Sequence, residues 1–517
     1  MKKKIFDIHM KLDYIHEPFL LFNYNQKVID PRDGLTLFGP YNKNKVNNFS
    51  IGIIGTSFGR QKLKCWLEKF SKPIIPLKKD FSKPFYPGFE AIFGVSINPH
   101  SIIEIDIEEN KLKEFYRYSD SHIRVANMVD LYVDELVEYK KDDDRPPVNI
   151  WFVIIPDDVY LHGRTKSKAG GNIIKVGIKD KLSRTSATLF DEIMPDLVKD
   201  REAYQYDNHF HNQLKLKLLK HEILTQIVRE STIAYNEYPY LKKNNEPKRD
   251  LSKMETDIAW NIATSVYYKI GGLPWKLGTI RKGVCYIGLV FKVDSRQKSH
   301  KYACCAAQMF LDSGDGMVFK GAVGPWYNED TREYHLTKSA AFDLLDKALK
   351  SFQKSNNKEL PKEVFIHGRT KFDDEEWSGF CDAVSEYDIS LTGVTIKDEK
   401  TFKLYRDKDF PILRGSYYIK DKNNAFLWTK GFIPRLQQPL GMETPNPLTI
   451  SLIRNNGRVP IDTVCRDILA LTKLNYNSCR FCDGLPVTLK FANVIGDILT
   501  SGKIDDLKPA LPFRYYI

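Results

Sequence analysis

The sequence holds no run of the ~18 consecutive apolar residues that a membrane-crossing helix needs, and its densest short one, Trp151–Ile155, reads as a buried strand. Cysteine is scarce: eight in 517 residues, which argues against a disulfide framework. Cys304 and Cys305 are adjacent, and Cys479 and Cys482 form a lone CxxC. A structural zinc site would need a second ligand pair at metal spacing, so reduced, structural cysteines are expected. A thioredoxin-type role is weaker still, because no βαβ unit comes after the CxxC. Dinucleotide GxGxxG, Walker and GxSxG patterns are missing as well. Met1–Lys4 is basic, but Asp7, His9 and Lys11 break up the next stretch of chain. No signal-peptide core forms there, and a cytoplasmic location is the expectation.

Positive charge, by contrast, is in excess. Lysine and arginine number 78 against 66 acidic residues, a net charge of +12. An excess of this size favours a polyanionic partner and salt-dependent binding, although many surface lysines on an ordinary soluble protein would give the same figure. The length suffices for about two to four domains.

Alternating strand and helix signals point to an α/β fold with parallel sheets. Ser50–Gly55 reads as a buried strand with an amphipathic stretch after it around Gln61–Phe70; Asp120–Tyr139 has helical apolar spacing and precedes a strand at Val148–Ile155. This is a doubly wound βαβ pattern. A helix is expected over His211–Arg229, from the spacing of Leu216, Leu219, Ile223 and Ile227, and another over Ser252–Tyr268. The second half opens with three consecutive strands, Val284–Val293, Tyr302–Leu311 and Met317–Gly321, the last two joined by a turn at Asp312–Gly316. A helix at Ser339–Gln353 and a strand at Glu363–His367 come next, an RNase H-like order.

Several residues have the chemistry to grip a terminal phosphate. His211 and Lys215, four apart, share one helical face. Gln226 is expected further along the same helix, and Lys269 at the end of the next. A phosphate monoester calls for convergent ammonium, amide and imidazole donors. Taken alone, the His–Lys pair reads better as an ordinary solvated helix face. The basic loop His162–Lys168 is either a backbone contact or a solvated loop. Asp312–Gly316 has a faint calcium-loop look but reads better as a hairpin turn, and Asp373–Glu376 reads as an acidic helix N-terminus.

The constellation His211, Lys215, Gln226 and Lys269, with Ile270-Gly-Gly-Leu-Pro-Trp-Lys276 leading into the strand Cys285–Lys292, resembles the passage from MID to PIWI domain in Argonaute proteins. Asp30–Pro40, Phe85–Ala91, Ala303–Asp312 and Leu471–Asn477 sharpen the resemblance to short prokaryotic Argonautes, most of all those working with a separate TIR-APAZ protein. The resemblance implies a Rossmann-like MID domain over 1–277, with the N-terminal segment, and an RNase H-like PIWI domain over 278–517. It implies that His211, Lys215, Gln226 and Lys269 hold the 5′ phosphate of a guide RNA. Ile517 would supply a carboxylate to a structural Mg2+ that bridges guide phosphates. The other partners implied are complementary single-stranded DNA from plasmid or phage and the TIR-APAZ chain, a heterodimer that oligomerises on target binding and depletes NAD. No membrane partner is expected.

The nuclease pattern of the family is broken. Val290 stands where the first carboxylate belongs, Arg369 at about the second, and Asn493 near the last. Two-metal hydrolysis needs converging carboxylates, so the expectation is that this chain is not an enzyme. The alternatives are a sirtuin-like or nuclease-type APAZ effector, or an active nuclease using Asp294, Asp312 or Asp315.

Overall fold

The computed structural model describes residues 11–42, 46, 49–77, 80–98, 101–179, 184, 195–238, 242–243, 246–247, 251–279, 281–293, 303–310, 316–324, 326–355, 358–406, 409–441, 443–502 and 511–517. Asp294, Asp312 and Asp315, including most of the Asp312–Gly316 turn, lie outside the described residues.

The first strand, β1 (Asp13–Tyr14), joins a sheet built much later in the chain. Next come β2 (Ile51–Gly55), α1 (Ser57–Phe70), β3 (Ile103–Asp106), α2 (Ser121–Lys141), β4 (Ile150–Ile155), α3 (Asp157–His162), α4 (Phe210–Leu219) and β5 (Thr225–Arg229). The four strands form a parallel sheet in the order β3–β2–β4–β5. Every residue of β2 and β4 is buried, as expected of strands covered by helices on both faces. Thr56 caps α1 by accepting from the Gly59 amide, and Asp120 caps α2 by accepting from the amides of His122 and Ile123. The doubly wound pattern is therefore present.

The expected helix over His211–Arg229 is not continuous. It ends at Leu219, and after a turn in which Glu222 takes a left-handed conformation (φ 51°) the chain becomes β5. Gln226 accordingly sits on a strand paired with Phe152 of β4 and not on the helix of Lys215. The cause is local: Ile223, Thr225, Ile227 and Val228 form a β-branched run, and their fit to helical spacing is outweighed by pairing with a buried strand.

The chain then forms α5 (Glu255–Lys269), β6 (Val284–Val293), β7 (Ala303–Phe310), β8 (Gly316–Gly324), α6 (Lys338–Ser355), β9 (Glu363–Gly368), α7 (Asp374–Val384), β10 (Ser390–Asp398), β11 (Ser416–Asp421), β12 (Asn424–Leu427), β13 (Leu448–Asn455) and α8 (Val487–Leu499). The nine-stranded sheet has the order β1–β11–β12–β13–β10–β9–β6–β7–β8. β6, β7 and β8 are the antiparallel meander, while β6–β9–β10 run parallel. Asp373 caps α7 by accepting from the Glu376 amide, as the acidic run suggests.

One hydrophobic core, including Phe152, Trp260, Tyr286 and Ile468, is continuous from the four-stranded sheet to the larger one. β1 pairs with β11. Near it, Glu17 accepts from Arg414 and, at 2.9 Å, from Lys473; both cations are almost fully buried. No helix among the described residues is long and apolar enough to cross a membrane.

Candidate nucleic-acid interface

The pocket is assembled from three pieces of chain. Helix α4 starts with Phe210, whose amide donates to Gly163 O (2.8 Å), and carries His211 and Lys215. Helix α5 ends at Lys269 because Gly271 adopts φ 99°, a conformation costly for side-chain-bearing residues, and the Gly272 amide donates back to Tyr267 O. Strand β5 runs between them and supplies Gln226.

Both lysines are buried, at 3% and 2% exposure. Lys215 Nζ donates to Thr225 O (3.0 Å) and to the main-chain oxygen of Ile517 (2.7 Å). Lys269 Nζ donates to the same Thr225 O (3.0 Å) and to Gln226 Oε1 (2.8 Å). Ser265 Oγ donates to Gln226 Oε1 (3.0 Å) and lies 3.2 Å from Asn477 Oδ1. His211, with Nδ1 3.3 Å from Asn212 Oδ1, stands at the same cavity. That cavity measures about 380 Å³ and is lined by His209, His211, Lys215, Gln226, Lys269 and Ile517.

The electrostatics are those of a site short of anions. Among the described residues neither lysine is paired with a side-chain carboxylate. Burial pushes the Lys215 ammonium down to about 7. Burial, and then Lys215, hold Lys269 well below the usual lysine range. Burial and the neighbouring Lys215 push the His211 imidazole down to about 4, so it is neutral at pH 7. A phosphate among these groups would restore the charged form of both amines.

The structure thus brings together His211, Lys215, Gln226, Lys269 and Ile517. The sequence reading missed the rim. Tyr160 has Arg164 3.3 Å from its ring centroid and Arg229 4.3 Å from it, and all three line the cavity with Asn477. Arg164 belongs to the basic loop at 162–168, so that loop reaches the site. Asn477 closes the segment Leu471–Asn477 that carried part of the resemblance; Arg229 and Tyr160 gave no signal.

The positions of the degenerate nuclease pattern lie on the larger sheet. Gly288 of β6 approaches the start of α8 so closely that a Cβ there would meet Thr488 O at 2.1 Å. Lys292, on the same face, pairs with Asp497 of α8 at 2.9 Å. Val290, between them, faces α8 by strand alternation and is buried in the core. His367, across from Gly288, is fully buried with Nδ1 3.0 Å from Thr488 Oγ1. Arg369 is exposed past the end of β9. Asn493 lies on α8 and donates to Leu489 O in its own helix (3.0 Å). Val290, Arg369 and Asn493 offer no carboxylate.

No protein-family profile matches the chain. It is 21% identical over 357 residues to Protein argonaute of Aquifex aeolicus (strain VF5), covering 66% of this chain and 46% of that protein. Among solved structures, Clostridium butyricum Argonaute bound to a guide DNA and a 19-mer target DNA superimposes with a TM-score of 0.62 at 16% identity, over 98% of this chain and 55% of that one. Drosophila Piwi gives a TM-score of 0.53 at 13% identity, over 98% and 56%. The chain thus spans about half the length of the relatives it matches. Its mixed α/β architecture, from the four-stranded parallel sheet to the nine-stranded one, is the Argonaute fold.

Proposed function

We propose that the chain is a guide-directed nucleic-acid sensor of the short Argonaute type. It holds a 5′-phosphorylated RNA through His211, Lys215, Gln226 and Lys269 and pairs it with invading single-stranded DNA. Base pairing then supplies sequence specificity while the protein reads backbone and geometry. The observation that carries this reading is the convergence of two buried lysines on one open cavity with no side-chain carboxylate partner among the described residues. The solved Argonautes of this fold include one bound to a guide DNA and target DNA and one with externally bound siRNA.

The site also fits a Mg2+ ion on chemical grounds. Ile517 O opens to the cavity beside Lys215, and oxygen donors from a terminal carboxylate and from phosphates suit a hard cation. Bound there, the ion would supply charge neutralisation to the guide end. The sensor reading includes no cleavage by this chain, given Val290, Arg369 and Asn493. Its output passes to a TIR-APAZ partner in the cytoplasm that consumes NAD, a coupling suggested by the segments Asp30–Pro40, Phe85–Ala91 and Leu471–Asn477.

Sequencing the nucleic acid that co-purifies with the chain, then adding labelled complementary DNA and Mn2+, tests this. Short 5′-phosphorylated RNAs and an intact target are expected, with NAD loss only when the TIR-APAZ chain is added. A single guide-directed cleavage product would overturn the non-cleaving reading, and NAD loss by this chain alone would overturn the division of labour.

A further inference from the structure

Away from the guide pocket, at the far end of the large sheet, the short strand Glu333–Tyr334 leads through His335 and Leu336 to α6. There His335 meets the N-terminus of α7. Its side chain is only 9% exposed, and its Nδ1 is buried without a hydrogen-bond partner. That nitrogen is aimed at two carboxylates, 3.5 Å from Glu376 Oε2 and 3.9 Å from Asp373 Oδ2. Both distances exceed an ordinary N–H···O bond.

The other oxygens of the two carboxylates are already committed. Glu376 Oε1 accepts from the Leu336 amide (3.2 Å) and Asp373 Oδ1 from the Glu376 amide (2.7 Å). These bonds fix both side chains and leave Oε2 and Oδ2 turned toward the imidazole. One ligand atom from each of His335, Asp373 and Glu376 lies within 4.8 Å of the other two. On the opposite side of the ring, Glu333 Oε2 is 3.8 Å from Nε2.

We propose that His335 Nδ1, Asp373 Oδ2 and Glu376 Oε2 bind a divalent first-row transition ion of the zinc class. Ligands at about 2.0–2.2 Å from a tetrahedral ion lie roughly 3.3–3.6 Å from each other. The 3.5 Å separation of His335 and Glu376 already matches, and the 3.9 Å one to Asp373 closes with a small shift. The imidazole ligand suits zinc and its later first-row neighbours better than calcium or magnesium. Glu333 stands where a carboxylate orients a metal-bound imidazole through its second nitrogen. Of the carboxylates around the imidazole, Asp373 and Glu333 reach solvent, but Glu376 is 1% exposed; a buried carboxylate is costly unless it is paired or coordinates a metal. Asp373, 41% exposed on its side chain, leaves an entry path. Three protein ligands leave a coordination position for water. The ion would tie the start of α6 to the start of α7. None of the three ligands is a residue of the guide pocket, nor is any at Val290, Arg369 or Asn493.

The test uses the full chain without an affinity tag, stripped with a chelator and titrated with Co2+, monitored by visible absorption and by displacement with Zn2+. One Co2+ per chain is expected, displaced by Zn2+, together with a rise in the thermal midpoint on adding Zn2+. His335→Gln and Asp373→Asn should each weaken binding by more than about tenfold, with unchanged circular dichroism. Asparagine retains the helix cap, so the second variant decides if the first does not fold. A folded wild-type chain with no cobalt band, or a band that survives in the folded variants, would overturn the proposal.

Discussion

Two regions of this molecule bury cations, and they do so for opposite ends. Near β1, Arg414 and Lys473 are sealed against Glu17, whose carboxyl burial alone would raise but which these cations hold below the usual range. At the proposed guide pocket, Lys215 and Lys269 are equally buried but rest on Thr225 O, Gln226 Oε1 and Ile517 O. Buried charge is ordinarily paired. The first arrangement is complete as it stands and joins the N-terminal segment to the large sheet. On the function proposed above, the second would be completed by a guide phosphate, for which its open cavity leaves room.

Removing an acid should separate the two most sharply. Glu17→Ala leaves two buried cations unpaired and should lower unfolding stability by about 3–5 kcal/mol, read by denaturant titration. A much smaller loss would mean that the network is not integral to the fold. Lys215→Ala with Lys269→Ala should leave the fold intact and weaken binding of a phosphorylated guide by a few kcal/mol, at roughly 1–3 per charged hydrogen bond.

The pH responses should fall in separate windows. Lys215 in the folded chain is held at about 7, below its unfolded value of roughly 10.4. The unfolded state therefore binds more protons between those values, and stability of the guide-free chain should rise with pH across that window. Guide binding should take up a proton and weaken over the same range. Glu17 has the same sign in a lower window: its contribution is complete above the ordinary glutamate range and is lost as pH falls through its lowered folded value. Thermal melts of the wild type and Lys215→Met across roughly pH 6–10 check the lysine limb, which should shrink in the variant to the part that Lys269 supplies. The smallest effect belongs to the rim. Arg164 is exposed, so Arg164→Ala should cost guide affinity no more than about 1 kcal/mol, and that loss should shrink further at high salt.

The sequence was most legible where periodicity and chemistry coincide. β2 and β4 are continuous apolar runs and α2 has clean helical spacing, so the doubly wound sheet was readable. The meander and β9 were equally plain. Gln226 lines the same cavity as His211, Lys215 and Lys269, but from a strand and not from the expected helix, because Ile223 and Ile227 satisfy helical and strand spacing alike and only pairing with β4 decides between them. The rim residues Arg229 and Tyr160 were hidden for another reason. Each looks ordinary in its own segment, and their meeting depends on the C-terminal ends of β4 and β5 lying side by side. The addition of β1 to a sheet formed some four hundred residues later is likewise long-range pairing that no local pattern encodes.

The proposed function turns on end recognition by buried lysines that lack a side-chain carboxylate partner among the described residues. Its most direct test is the affinity of one RNA sequence carrying a 5′ phosphate or a 5′ hydroxyl, measured on the wild type and on the Lys215→Ala, Lys269→Ala variant. The phosphorylated strand should bind the wild type more tightly by a few kcal/mol, and the variant should hold both alike. Equal affinity of the wild type for the two strands would contradict the account.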